Sequence, residues 1–268
     1  MHTQKAEEKY SKFIEQENLK YALDDENKIA NIIGCNSQKS FIIPCYIIHN
    51  MQKYIVVSIC DDSFKNIREI KSIQFDPDSK LQIIGETVFS RTSIENISIP
   101  ASIVQISDGA FYNYKKLRTI SFSPDSKLQI IEKQAFSGSS IESISIPASV
   151  TQICKSAFYN CKKLKKIEIQ PDSKLQKIEK FTFFGSSIET ISIPASVTQI
   201  SESAFSDCQK LRKIEIPPDS KLQKIEKEAF SYTLIEDILI PENVVDLEEG
   251  WCSNVPHLVN VNVMENNP

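Results

Sequence analysis

The chain has 268 residues, with 31 basic against 35 acidic side chains and a formal net charge of -4. That balance argues against a general phosphate-backbone binder, which shows a basic stripe, so nucleic acid is not expected as a partner. Hydrophobic residues make up 41%, enough for a continuous narrow core, and with no run of 18 or more apolar residues no membrane-spanning segment is expected.

Met1 to Glu17 is polar, carries Glu7, Glu8, Glu15 and Glu17, and lacks the apolar core of a secretory signal, which points to the cytoplasm. Tyr10 to Leu23 predicts a short helix and Lys28 to Ile33 a strand. Phe41-Ile42-Ile43-Pro44 reads as a strand followed by a corner. Tyr46-Ile47-Ile48 and Tyr54-Ile55-Val56-Val57, around His49-Asn50, read as a hairpin that departs from the regular pattern. Strands then open at Ile70, Ile94, Leu117, Ile141, Leu164, Ile188, Leu211, Ile235 and Leu258. The last is Val259 to Val263, which leaves an exposed edge and two expectations: a monomer, or a weak dimer through that edge.

These strands belong to a repeat. Ser98-Ile99-Pro100-Ala101-Ser102 returns at Ser145 to Ser149 and at Ser192 to Ser196, with a worn copy at Leu239 to Asn243. Pro-Asp-Ser-Lys-Leu starts at Pro77, Pro124, Pro171 and Pro218. Both keep a 47-residue spacing, the signature of a solenoid, which favours surface binding over a single catalytic pocket. Each unit divides into halves of 23 and 24 residues that follow L-x-x-I-x-I, then an apolar residue, Ile and Ala-Phe. The alternating apolar residues of L-x-x-I-x-I point the same way from a strand and make the inner wall of the core. Proline ends pairing and starts a corner, and Pro-Asp-Ser does the same with two extra residues. Ile106 and Ile131 line the far side. The Ala-Phe pair fits a short helical turn, and Phe89, Phe111, Phe136, Phe158, Phe183, Phe205 and Phe230 predict one aromatic column, ended by Trp251 in place of Phe.

Outward-facing strand positions form rows. The residue after each opener reads Lys71, Glu95, Arg118, Glu142, Lys165, Glu189, Arg212, Glu236, a charge ladder of alternating sign. Its first reading is structural, because it disfavours a one-coil register slip. The central row reads Gln74, Ser98, Ser121, Ser145, Glu168, Ser192, Glu215, Leu239, Asn262, and beside it stand Asn96, Lys166 and Lys213. The candidate binding face is therefore Gln74, Asn96, Ser98, Ser121, Ser145, Lys166, Glu168, Ser192, Lys213 and Glu215. The bland alternative is a solvated sheet face.

Chemistry-bearing groups are copied along the chain rather than gathered. His2, His49 and His257 are far apart, and no phosphate loop or nucleotide fingerprint occurs among six glycines. Asn96-Ile97-Ser98 matches an N-glycosylation pattern that matters only on a secretory route. No catalytic residue, metal or cofactor is expected. The seven cysteines have neither disulfide-scaffold nor zinc spacing. Cys161 and Cys208 fall at one repeat position two coils apart, roughly 10 Å, too far for a disulfide, so free thiols are expected.

Ile144 to Ile153, read as Ile-Ser-Ile-Pro-Ala-Ser-Val-Thr-Gln-Ile, followed by Ser156-Ala157-Phe158-Tyr159-Asn160-Cys161, resembles the BspA-type leucine-rich repeats. Tyr54-Ile55-Val56-Val57-Ser58-Ile59 resembles the insertion of that family's first repeat. The resemblance covers roughly Ile32 to Val263. It implies an α/β leucine-rich repeat solenoid: a curved right-handed coil stack with a short-stranded parallel sheet on one face and turns or 3-10 segments on the other. A polar segment and cap would occupy residues 1–34 and a repeat domain of about ten coils residues 35–268. It also implies a non-enzymatic protein-binding role in adhesion or host and cell-surface interaction, with protein as partner. The alternative is an intracellular protein-binding scaffold or regulator. Location stays open between the cell surface, which the resemblance implies, and the cytoplasm, which the polar start implies.

Overall fold

The computed structural model describes residues 12–263. Strand β1 (Lys12–Gln16) and strand β2 (Leu19–Asp24) form an antiparallel hairpin. The short helix expected over Tyr10 to Leu23 is not formed, and Tyr10 lies outside the described residues. Glu17 and Asn18 turn the chain with φ of 51° and 63°, the paired positive values of a two-residue hairpin turn. Leu19, Tyr21, Ala22 and Leu23 are buried while Lys20 is exposed, and the segment pairs antiparallel with Lys12–Gln16 from Lys12 opposite Leu23 to Gln16 opposite Leu19, where a helix would bond to itself.

Strand β3 (Ile29–Cys35) continues antiparallel to β2, after a turn in which the Asp24 carboxylate accepts from the Glu26 and Asn27 backbone N–H groups at 3.0 and 2.9 Å. Strand β4 (Ser40–Ile43) opens the repeat stack. The expected excursion follows as a hairpin of strand β5 (Tyr46–His49) and strand β6 (Gln52–Ile59), turned by Asn50 and Met51 at φ of 50° and 60°. On its other edge β6 runs parallel to β3, and beyond β5, on the same edge as β5, it runs parallel to Ile83–Ile84. The N-terminal strands thus share one hydrogen-bonded sheet with the coils that follow.

Two faces are built from strands. The wide face carries β4, Ser72–Phe75, Asn96–Ile99, Thr119–Phe122, Ser143–Ile146, Lys166–Ile169, Thr190–Ser192, Lys213–Glu215, Asp237–Ile240 and Asn260–Val263. These pair in parallel as three ladders, the central one six strands across. The narrow face carries two-residue strands from Ile83–Ile84 to Asp246–Leu247, which join β1, β2, β3, β5 and β6 in a 13-stranded sheet.

The expected α/β class is therefore corrected. Among the described residues there is no α-helix and no 3-10 segment, and the solenoid is wholly β with turns. The Ala-Phe corner shows why. Alternate N–H groups bond back only three residues, as those of Ala135 and Ser137 do to Glu132 O and Gln134 O, and the described corners make none of the four-residue bonds an α-helix requires. Phe111, Phe136, Phe158, Phe183 and Phe205 each donate across to a carbonyl of the next coil at 2.7 to 2.9 Å. Positions two before and two after the ring, such as Gln134 and Gly138 or Ser156 and Asn160, have positive φ, which breaks any helical run. The corner is a third inter-coil ladder.

The interior is a set of columns along the stack. The inward strand row, including Ile97, Ile120, Ile144, Ile167 and Ile191, is buried. The aromatic column forms and begins earlier than the repeat suggested, with Phe41 and Phe64 stacked ahead of Phe89. From Phe89 to Phe230 successive ring centroids lie 5.1 to 5.4 Å apart. Its end differs from expectation. Gly250 and Asn254, the positive-φ pair of the last corner, flank Cys252 and not Trp251. Trp251 N donates to Glu248 O as Ala229 N does to Glu226 O, so Trp251 holds the alanine position and Cys252 the phenylalanine position. The indole still closes the column edge-on, 6.0 Å from Phe230.

Candidate binding face

Every strand of the wide face alternates between core and solvent, so copying a strand copies an exposed row. All ten candidate residues, Gln74, Asn96, Ser98, Ser121, Ser145, Lys166, Glu168, Ser192, Lys213 and Glu215, are exposed. The register sets Ser98 opposite Ser121, Ser145 opposite Glu168, and Ser192 opposite Glu215. Side chains follow that register. The Ser98 and Ser121 hydroxyls hydrogen-bond at 2.6 Å, and Ser192 Oγ donates to Glu215 Oε2 at 2.6 Å. Thr119 Oγ1 donates to Asn96 Oδ1.

Charge enters in pairs along single strands. Lys213 Nζ lies 2.6 Å from Glu215 Oε1, and Lys166 Nζ lies 3.7 Å from Glu168 Oε2. The hydrogen bond from Lys213, reinforced by that from Ser192, holds the Glu215 carboxyl below the usual carboxylate range. Gln74 stands apart, on the separate ladder of β4 and Ser72–Phe75. The alternating row beside these residues closes only partly. Among its described members, side-chain ion pairs form between Arg118 and Glu142 at 3.7 Å and between Arg212 and Glu236 at 3.8 Å. Exposed pairs of this kind contribute about 0.2–1 kcal/mol each.

Where the wide strands end, long and short corners alternate. Two hollows open there, each above a short corner and between two long ones. The first, about 640 Å³, sits over Pro147, Ala148 and Ser149, with Pro124 on one side and Asp172 on the other. The second, about 560 Å³, sits over Pro194 and Ala195, with Pro171 on one side and Pro217 and Asp219 on the other. Ser121 and Ser145 reach the first hollow, and Ser192 and Glu215 the second, so the hollows adjoin the candidate row. Row reasoning missed them. Their signal in the sequence is the two-residue difference between Ile-Pro-Ala-Ser and Pro-Asp-Ser-Lys corners. Gln170 was missed too; from a long corner it donates to Ser145 Oγ at 3.0 Å.

The cysteines lie away from this face. Cys161 Sγ donates to Phe136 O and Cys208 Sγ to Phe183 O, both at 3.1 Å, while Ser139 and Ser186 contact the same sulfurs at 3.6 and 3.4 Å. Burial pushes both thiols up to about 12. The seven cysteines, all among the described residues, form no disulfide. Among the described residues no group of three or more His, Cys, Asp or Glu is placed to hold a metal ion. No helix of the described residues is long and apolar enough to cross a membrane.

The family model described as "BspA type Leucine rich repeat region" matches residues 35–165 and 129–258, in six copies. The comparison with curated proteins gave no match. Among solved structures, a leucine-rich repeat protein from Bacteroides ovatus ATCC 8483 is similar at TM-score 0.78 and 25% identity, over 95% of this chain and 66% of that one. This chain thus spans just under two thirds of that relative. The pneumococcal vaccine antigen PcpA is similar at TM-score 0.58 and 21% identity, over 96% of this chain and 82% of that one. The T. pallidum leucine-rich repeat protein TpLRR is similar at 0.58 and 18%, over 82% and 89%. The last two likenesses are of fold.

Proposed function

The chain belongs to the BspA-type leucine-rich repeat family, and from that premise we propose that it is a non-enzymatic protein-binding module of the adhesion type. The observation that carries this reading is the wide face itself. Rigid parallel ladders hold an exposed array of hydroxyl, amide, ammonium and carboxylate groups at one-strand intervals. Such an array is suited to an extended surface on a protein partner, as repeat proteins use their faces. Because its polar groups are already ordered by neighbours, little side-chain entropy remains to be lost on binding.

The contact residues in this reading are Gln74, Asn96, Ser98, Ser121, Ser145, Lys166, Glu168, Ser192, Lys213 and Glu215. The reading keeps an N-terminal cap, residues 1–34, apart from a repeat stack, residues 35–268, with β3 running one residue across that boundary. It places the protein at a cell surface, and allows a weak dimer through the last strand, Asn260–Val263.

The test is capture of partners from cell lysates by purified protein, paired with impermeant labelling of intact cells. Exchanging the charges at Lys166, Glu168, Lys213 and Glu215 should weaken capture at least tenfold and leave the melting temperature within a few degrees, because all four are exposed. Undiminished capture by the folded variant would remove this patch from the site.

A further inference from the structure

We propose that the two hollows at the corner edge together form a docking track for a polyproline-II segment of a partner polypeptide, carrying basic side chains. This deepens the protein-binding reading and rests on it, since the track borders the same face.

The first argument is spacing. The hollows occupy equivalent places one 47-residue unit apart, over Pro147-Ala148 and over Pro194-Ala195. One unit is two coils, and parallel strands stand about 4.7–4.9 Å apart, so the hollows repeat at about 9.5 Å along the stack. A polyproline-II helix advances about 3.1 Å per residue with three residues per turn, so side chains three apart repeat at about 9.3 Å. Over the span of two hollows the mismatch is a few tenths of an ångström. An extended strand fits worse, because its same-face side chains repeat at about 6.6–6.8 Å.

The second argument is the character of the walls. The long corners that divide the track are proline corners, with Pro124, Pro171 and Pro217 exposing ring edges. The floor of the second hollow is apolar, with Ile193, Ile216 and Ala195. A short ring or aliphatic side chain at every third position fills such spaces, and a pre-extended ligand with no internal hydrogen bonds loses little entropy in docking. The third argument is charge. Asp172 lines the first hollow, and Glu215 and Asp219 the second, while no Lys or Arg lines either among the described residues. Guanidinium groups on a neighbouring face of the ligand would meet these carboxylates.

The experiment uses the whole chain and synthetic peptides, followed by calorimetry or fluorescence anisotropy. The probe is acetyl-(Pro-Pro-Arg)4-amide. Its controls are (Gly-Ser-Arg)4, of equal charge but flexible, and (Pro-Pro-Glu)4, of equal helix but opposite charge. The arginine-proline peptide should bind at least tenfold more tightly than either. Ala195→Trp, which fills the second hollow, and Asp219→Lys, at an exposed corner, should each weaken it at least fivefold. Lys163→Glu, exposed ahead of a wide strand and off the track, should leave it unchanged. Equal binding of the flexible peptide, or no binding at millimolar concentration, overturns the proposal. So does unaltered affinity in a folded Asp219→Lys. The wide-face reading fails separately, when protein exchanged only at Lys166 and Glu168, which line neither hollow, still captures its macromolecular partner.

Discussion

Phe158 lies between Phe136 and Phe183, with ring centroids 5.2 and 5.4 Å away, and has no solvent exposure. Truncating it leaves a cavity that neighbouring coils, tied by ladders on three sides, cannot close. Phe158→Ala should cost about 3–5 kcal/mol in urea unfolding, and a cost near zero would refute the column as a source of stability. The spine was legible because a large ring recurs at one repeat position. Its last member was not, since Trp251 is the nearest aromatic residue and drew the assignment. The spacing of the rings held the answer: it alternates 22 and 25 residues from Phe89 to Phe230, and the next step of 22 lands on Cys252. Thiol chemistry gives a second test at this scale. At pH 8 a thiol with a pKa near 12 is ionised to about one part in ten thousand, and the thiolate is the reactive form. Cys161 and Cys208 should therefore resist iodoacetamide in the folded protein and react once it is unfolded, with mass spectrometry reading each site. Cys35, Cys45, Cys60 and Cys252, all half-buried, should label before them.

The corner is the element in which sequence and structure part most clearly. Ala next to Phe, with Ile four or five residues before, carries the spacing of a helical turn, so a helical corner was the natural expectation. What periodicity does not reveal is the destination of the N–H groups. In a stack each corner lies directly over its copy, and bonding across serves every coil but the last. The backbone then needs positive φ at two places, and the chain meets that need unevenly: glycine at 109, 138 and 185, asparagine at 113 and 160, but tyrosine at 232. A bulky residue is strained in this conformation, which asparagine tolerates far better. Tyr232 is more than half exposed, so little packing is lost by replacing it. Tyr232→Asn should raise stability by about 1 kcal/mol in chemical denaturation. A neutral or negative effect would mean that the ring contributes more where it stands than the backbone loses. The wide strands, by contrast, were readable to within two residues: each of the nine from Ser72–Phe75 to Asn260–Val263 begins two residues after its expected opener, and alternation gave the face of each. The candidate row followed from that alternation; the hollows did not, since they arise from the difference between consecutive corners.

At the scale of the molecule, copying makes each coil cover the next, and the consequences gather at the ends. The first end is covered: β1, β2 and β3 extend the narrow sheet and bury Leu19, Tyr21 and Leu23. The last described coil presents the opposite case. Val261 and Val263 stand in register with the buried Ile238 and Ile240, yet are 44% and 57% exposed, because no described coil covers them. Beside them Val245 and Leu247 are also exposed. A strand with an unpaired edge and an open apolar flank is a template for pairing with another chain. Two copies meeting through Asn260–Val263 would extend the ladder that already joins this strand to Asp237–Ile240 and cover both sets of valines. The area offered is small, so the dimer should be weak. Sedimentation should show a monomer at micromolar protein and a concentration-dependent shift toward dimer as it approaches millimolar. Val261→Lys places a charge on the edge, a device by which sheet proteins prevent such pairing, and should keep the protein monomeric throughout. A dimer that persists in the variant would locate the contact elsewhere, and a monomer in both proteins at every concentration would remove the edge as an interface.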